Sequence, residues 1–300
     1  MNPAKAITHD AAAWAKGYKS SEKDIPAQKS MLAKVFKQTQ EAVKNGFSVN
    51  GKQIKISPDS IKKMQTGSLL IEHPKPVAIK NPHKKTNVTV RNGDTIAVAS
   101  ELQQNGAKVV ALNMANAHHP GGGVEHGARA QEESIFRASN YHQSLYREEN
   151  KTLDVLFGKK AYHVPTTGGI YSPSVSVFRK PIQEGFAFQE PVELDFIASA
   201  AFNLNHNKDK PKDYDKQMLE KIRGIFRIAA GTGHDTMVLG AFGCGAFKND
   251  PKKVSALFKQ VIQEKEFKGA FSTIVFAVIN DHAGKQNFEA FDKAFKNFTI

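Results

Sequence analysis

Apolar and polar residues alternate in two different ways along this chain, and the change falls near residue 85. Before it, the spacing favours helices. AAAWAKGYK and PAQKSMLAKVFKQTQEAVKNG place Met31, Leu32, Val35, Phe36 and Val43 on one side of a helix, and Asn45-Gly46 ends it. FSVNGKQIKIS then alternates, with Asn50-Gly51 at the position of a two-residue hairpin turn. The text from there to residue 85 is mixed and rich in Pro and Lys. Residues 1–85 are therefore expected to form an accessory layer, mainly helical, and residues 86–300 the main domain.

After residue 86, short apolar runs alternate with amphipathic ones. NVTVRN predicts a strand, Asp94-Thr95 the start of a helix closing at Gly106, and KVVALNMA a strand buried on both faces. A glycine-rich loop follows, then a helix expected from about Ala130 to Tyr146. Further strands are predicted at AYHVP, GIYSPSVSVF, VELDFIASAAF, TMVLGAFG and STIVFAVI, with helices near 215–231 and 251–265. Strands alternating with helices define an α/β fold, which binds ligands at the carboxyl ends of its strands.

Three of the predicted strands end in small, polar or glycine residues: LNMANAHHPGGGVEHGARAQEES, IASAAFNLN and VLGAFGCGAFKNDP. In the first, Gly121-Gly122-Gly123 permits close backbone approach to a ligand, and Gln131-Glu132-Glu133 follows after seven residues at a helix start. Carboxylates opposite a glycine-rich cradle suit cleavage of a glycosidic bond beside a pyrophosphate, where one carboxyl protonates the leaving oxygen and activates water. Adjacent residues on a helix project about 100° apart, so Glu132 and Glu133 should differ in role. The residues alone equally allow a solvated pair that favours a helix N-terminus.

Gly243-Cys244-Gly245-Ala246-Phe247 could present amides to phosphate oxygens, with Phe247 stacking on a ribose or base. It lacks the Lys-Ser/Thr of a phosphate-binding loop and the spaced glycines of a dinucleotide fingerprint. His118, His119 and His126 with Cys244 lack recognisable metal-ligand spacing, and Cys244 has no evident base to make it a nucleophile. No metal and no cofactor is expected. Arg129 is read as a surface residue, Tyr171 and Phe178 as core or pocket-lining residues, and Trp14 as an anchor of the accessory layer.

Taken together, GGG-x7-QEE, HPGGG, GARAQEE, YSPSVSVFR, GAFGCGAFKNDP and VFAVIND resemble, in order, segments of microbial-type poly(ADP-ribose) glycohydrolases of the macrodomain superfamily, over about residues 86–280. The resemblance implies a macrodomain-like mixed sheet between helices, with a mainly helical N-terminal extension. It implies that Glu133 protonates the leaving 2′-oxygen of a ribose–ribose bond and then activates water, while Glu132 holds ribose hydroxyls. Gly121, Gly122, Gly123 and the Gly243, Cys244, Gly245, Ala246, Phe247 loop would embrace the pyrophosphate. Gln131 belongs to the signature, and Asn116, closing Leu112-Asn113-Met114-Ala115-Asn116, would contact the distal ribose. Asp94 stands where macrodomains often place an adenine-contacting aspartate. His118-His119, Ala200-Ala201-Phe202-Asn203 and Lys248, which stands where glycine is commoner, depart from the family pattern and bear on the entrance and the preferred chain length.

Charge adds a partner class. The formal net charge is +13, and residues 1–90 hold 16 lysines against 6 acidic residues. A basic surface concentrates polyanions. Poly(ADP-ribose) or ADP-ribosylated protein is the expected partner, with ADP-ribose the product. Nucleic acid would need a recognised motif, and none is present. A mono-ADP-ribosyl hydrolase acting on protein, nucleic acid or a small molecule is the second reading, and a non-catalytic ADP-ribose reader the third. No apolar run reaches the length of a membrane span, the first residues are too polar for a secretory signal, and a lone cysteine suits a reducing compartment. A cytoplasmic monomer is expected.

Overall fold

Side-chain oxygens at the first turns start several of the helices. In the computed structural model, which describes residues 6–205, 210–281 and 284–300, α1 (Ala11–Ser20) follows Asp10 and α2 (Ile25–Asn45) follows Asp24. Each aspartate accepts the amide of the residue three further on at 2.9 Å. α2 buries Leu32, Val35, Phe36 and Val43 as their spacing predicts, and ends at Gly46. β1 (Phe47–Val49) and β2 (Lys52–Ile54) close around Asn50 and Gly51, both with positive φ, the twist a two-residue hairpin requires. α3 (Pro58–Gly67) and β3 (Leu69–Ile71) lie where the Pro/Lys-rich text gave no prediction. Ser57 before Pro58 is the start signal that text contained.

β4 (Asn87–Arg91), α4 (Thr95–Gln104) and β5 (Val109–Met114) match the predicted order, with the Asp94 carboxylate accepting the Ile96 amide at 2.8 Å as the α4 cap. The long helix expected over 130–146 is instead α5 (Gln131–Ala138) and the single turn α6 (His142–Leu145). Ser139 turns its hydroxyl onto the Ile135 carbonyl at 2.7 Å and takes extended backbone. Asn140 exchanges two bonds with Ser176, its amide donating to the Ser176 carbonyl and its side-chain oxygen accepting the Ser176 amide. Pairing with a strand thus competes with, and ends, the helix. α7 (Thr152–Phe157) follows. Residues 161–165, expected as a strand, form none; the Val164 amide donates to the Ala117 carbonyl at 2.8 Å. Next come β6 (Gly169–Arg179), β7 (Phe188–Ser199), α8 (Tyr214–Gly231), β8 (Thr236–Leu239), α9 (Pro251–Ile262) and β9 (Thr273–Ala277). The last helix, α10 (Lys285–Phe295), buries Phe291 and Phe295 at a spacing of four.

The described strands form a mixed sheet in the order β3-β6-β7-β5-β8-β9-β4, with β1-β2 apart. β3 pairs antiparallel with β6, whereas β7, β5, β8, β9 and β4 pair in parallel. The chain forms two compact units, and the division falls within β6 and β7.

One unit comprises Leu69–His118, His163–Tyr171 and Asp195–Ile300. Its core is built by α8, α9, α10 and the parallel strands, with Phe258 edge-on to Phe276 and Phe276 stacked on Phe295.

The other unit comprises the chain through Ser68, His119–Tyr162 and Ser172–Leu194. There Phe47 stacks on Phe178 and Phe188, and Trp14 stacks on Tyr18 beside Leu32, Val35 and Phe186. Phe178 and Trp14 are thereby packing residues. Two arginines are fully buried in this unit. Arg179 donates to the Thr39 hydroxyl, the Gln38 side chain and the Phe186 carbonyl, with its guanidinium 3.9 Å from the centre of the Phe188 ring. Burial lowers its pKa to about 9. The Thr39 hydroxyl in turn donates to the Arg137 carbonyl at 2.6 Å.

His142 is buried edge-on to Phe36 and Tyr146, and neither ring nitrogen has a hydrogen-bond partner among the described residues. Burial, with a smaller contribution from Lys44, lowers its pKa from 6.5 to about 4. The folded state thus holds this imidazole neutral at pH values where the unfolded chain binds a proton. Its contribution is complete above pH 6.5 and is lost as pH falls through the range down to about 4. Urea denaturation across pH 7.5 to 4 should therefore show a decline that His142→Leu reduces by about 3 kcal/mol.

Candidate active site

The signature glutamates stand in the first turn of α5, and both are buried, Glu132 at 3% and Glu133 at 6% exposure. A helix N-terminus favours negative charge there. Both side chains also reach back to the glycine loop. The Gly121 amide donates to Glu132 Oε1 at 3.1 Å and the Gly123 amide to Glu133 Oε1 at 2.9 Å. Glu133 Oε2 is buried with no hydrogen-bond partner among the described residues. A buried carboxylate oxygen ordinarily has one, so its availability is the chemically informative feature of the site.

The glycines are needed for two separate reasons. Gly121 and Gly122 have φ of +76° and +55°, a region side chains disfavour. A Cβ on Gly122 would also stand 2.4 Å from Glu133 Oε1 and 3.3 Å from Glu132 Oε2. The backbone of this residue lies directly against the two carboxylates. Gly123 faces Ala128, and the turn is closed by the Gly122 amide on His119 O and the Ala128 amide on Gly123 O. Gln131, the first residue of α5, is half-buried beside them.

Arg137, one turn along α5, fixes this arrangement. Its guanidinium donates to the Leu32 carbonyl at 3.0 Å, the Ala128 carbonyl at 2.6 Å and the Val124 carbonyl at 3.4 Å, joining α5 to α2 and to the loop after the glycines. Burial lowers its pKa to about 10, with the negative charge of Glu133 acting in the opposite sense. It therefore stays cationic at neutral pH and places positive charge near the carboxylate. Gly127 packs so closely on α2 that a Cβ would fall 2.1 Å from the Lys29 carbonyl. Neither Arg137 nor Gly127 was identified as a site residue from sequence. Arg129 is exposed, with the side chains of Tyr18 and Gln28 near its guanidinium.

The remaining candidates lie in the other unit. Asn116 follows β5 and accepts the His118 amide at 2.9 Å, while the Ala115 amide donates to the Ser199 carbonyl. Gly243 begins a turn whose space is filled by Ala201 and Asn249. Asn249 organises the turn: its amide nitrogen donates to the carbonyls of Phe202 and Gly243 at 2.8 and 2.9 Å, and its oxygen accepts the Tyr214 hydroxyl at 2.6 Å. Gly245 and Ala246 are exposed and Phe247 is half-buried. Lys248 has φ of +58°, the backbone state that accounts for a preference for glycine at this position. Burial pushes the Cys244 thiol up to about 12, so it is protonated at neutral pH and unfit as a nucleophile. Tyr171 donates its hydroxyl to Asp195, a partner that makes it a structural residue here. Among the described residues no group of three His, Cys, Asp or Glu side chains is placed to hold a metal, and no helix is long and apolar enough to cross a membrane.

The fold and the carboxylate-bearing loop define an α/β protein of the macrodomain-like class. Residues 36–180 match the family model described as the catalytic domain of microbial-type PARG. Solved structures agree with that match. The poly(ADP-ribose) glycohydrolase from Thermomonospora curvata is 29% identical with a TM-score of 0.77, over 89% of this chain and 100% of that one. A second structure of it, bound to the inhibitor ADP-HPD, has a TM-score of 0.74. The enzyme from Deinococcus radiodurans in complex with ADP-ribose is 27% identical, with a TM-score of 0.68 over 80% of this chain and 98% of that one. No curated protein matches the chain.

Gly122→Ala combines a disfavoured φ with a clash at Glu133 and should lower stability in urea by about 1–3 kcal/mol. Gly245→Ala, at a site with no strained φ and nothing within 4 Å of the added carbon, should change it by less than about 0.5 kcal/mol.

Proposed function

We propose that this protein is a poly(ADP-ribose) glycohydrolase that cuts ribose–ribose O-glycosidic bonds from the free end of the polymer and releases ADP-ribose. The observation that carries this reading is Glu133: a buried carboxylate held by the Gly123 amide through one oxygen, its second oxygen without a protein partner among the described residues. The family match and the relatives' complexes with ADP-ribose and ADP-HPD give that oxygen its substrate class.

In the proposed mechanism, protonated Glu133 donates to the leaving 2′-oxygen as the bond from that oxygen to the anomeric carbon of the terminal ribose breaks. The sugar passes through an oxocarbenium-like state. Glu133, now a carboxylate, takes a proton from water as the water oxygen bonds to the anomeric carbon, which restores the acid and leaves ADP-ribose. Glu132 would hold ribose hydroxyls. Asn116 would contact the distal ribose. Gly121 to Gly123 and the Gly243–Phe247 loop, with Cys244, Gly245 and Ala246 within it, would embrace the pyrophosphate. Residues 1–85 would serve the catalytic domain of residues 86–300 as an accessory layer, with α2 bracing α5 through Arg137.

Release of ADP-ribose from labelled poly(ADP-ribose) tests the reading. Glu133→Gln keeps an acceptor for the Gly123 amide but cannot exchange the proton. It should lose about 100- to 10,000-fold in kcat while still binding ADP-ribose. A folded wild type that binds ADP-ribose but leaves the polymer intact would favour a reader or a mono-ADP-ribosyl hydrolase. A Glu133→Gln variant as active as wild type would overturn the assignment of the acid.

A further inference from the structure

α8 carries a lysine where its spacing calls for an apolar residue. Tyr214, Met218, Ile222, Ile225 and Phe226 form the buried face of this helix, and Lys221 stands among them at 5% exposure. A lysine this deep is ordinarily paired with a carboxylate. Among the described residues Lys221 has no such partner: its ammonium donates to the Thr166 carbonyl at 2.7 Å and lies 4.6 Å from the centre of the Phe202 ring. One turn further along α8, a Cβ on Gly224 would fall 1.9 Å from the Thr167 carbonyl, so this stretch of backbone rests directly on the helix. All of these residues belong to the unit that holds the Gly243–Phe247 turn.

What Lys221 holds leads to that turn. Phe202 begins a loop that is bonded to the turn along its length. The Phe202 carbonyl accepts the Asn249 side chain, which also donates to the carbonyls of Gly243 and Phe247. The Leu204 amide donates to the Phe247 carbonyl and the Asn205 side chain to the Ala246 carbonyl, both at 2.9 Å. An aromatic face attracts an ammonium far more than a neutral amine. Burial alone lowers the pKa of Lys221 to about 8, so the attraction is present at neutral pH and fades above pH 8. Lys210 and Lys253 lie against the Tyr214 ring instead. Burial raises the pKa of Tyr214 and pushes that of Cys244 up to about 12, so neither changes charge in this range.

We propose that Lys221 is a positioning residue for substrate binding, whose ammonium ties Phe202 to the Thr166 carbonyl and so sets the Gly243–Phe247 turn in the form that receives the pyrophosphate of ADP-ribose. The proposal rests on the glycohydrolase reading of that turn. An apolar side chain of the same length would fill this space without the loss of hydration that a charge suffers. What the lysine adds is the attachment between two segments that packing alone would leave separate. Acting through the turn, it changes affinity for the substrate and leaves the bond-breaking step alone.

The test is isothermal titration of ADP-ribose into wild type and Lys221→Met at pH 6.5 and pH 9, with KM and kcat on poly(ADP-ribose) at the lower pH. Methionine keeps the length and removes the charge. At pH 6.5 the variant should bind ADP-ribose about fivefold more weakly and show a raised KM with kcat unchanged. Wild-type affinity should fall by about the same factor between pH 6.5 and 9, while the variant's stays nearly flat. Both proteins carry Arg137 and Arg179, so only the difference between them reports on Lys221. Phe202→Leu, which removes the ring and keeps the lysine, should lose the pH response as well, and it serves if Lys221→Met does not fold. Equal affinity in wild type and variant at pH 6.5, or the same pH response in both, would overturn the role of Lys221 and leave the glycohydrolase reading standing. Absence of ADP-ribose binding to folded wild type would instead sink that reading, and this role with it.

Discussion

A buried cation with carbonyl oxygens in place of a carboxylate holds this site together. Arg137 gives its guanidinium to Leu32, Val124 and Ala128, three carbonyls from two separate stretches of chain. Each would otherwise need another donor in the interior, where an unmet carbonyl is costly. Its own carbonyl accepts the Thr39 hydroxyl, which also receives Arg179. α2, α5, β6 and the loop after the glycines are thus joined through one polar network. The glutamates of the signature inherit their placement from it.

The network also explains why a charge this deep is tolerated. Arg137 loses hydration, which lowers its pKa, but Glu133 sits close enough to offset part of that loss. The pair is therefore linked electrically without a hydrogen bond between the two side chains, and the carboxylate keeps one oxygen unengaged among the described residues. A direct bidentate ion pair would have consumed both.

Much of this was readable in the residue pattern where local chemistry decides the outcome. Asn50-Gly51 forms its hairpin, Asp94 caps its helix, the parallel strands fall where the apolar runs lie, and GGG-x7-QEE marks the loop and helix that stand together. The pattern misled where partners distant in sequence decide it. Residues 139–140 would continue a helix on local preference, but Ser176 and Val177 claim their backbone. Residues 161–165 look like a strand, yet they are not part of one among the described residues. Arg137 and Asn249 escaped notice for the same reason: an arginine on a short helix and an asparagine after a glycine turn look like surface residues until their carbonyl partners are known. The aromatic spacing of Phe288, Phe291 and Phe295 did carry a helix signal that went unread.

Cys244 has a practical bearing on how this molecule can be observed. It is the chain's single thiol, buried, with its proton held up to about pH 12. Thiol-directed dyes and spin labels react through the thiolate. The natural background for such reagents is therefore silent at neutral pH. A cysteine engineered onto an exposed turn becomes a single-site reporter of loop motion without first removing a native residue.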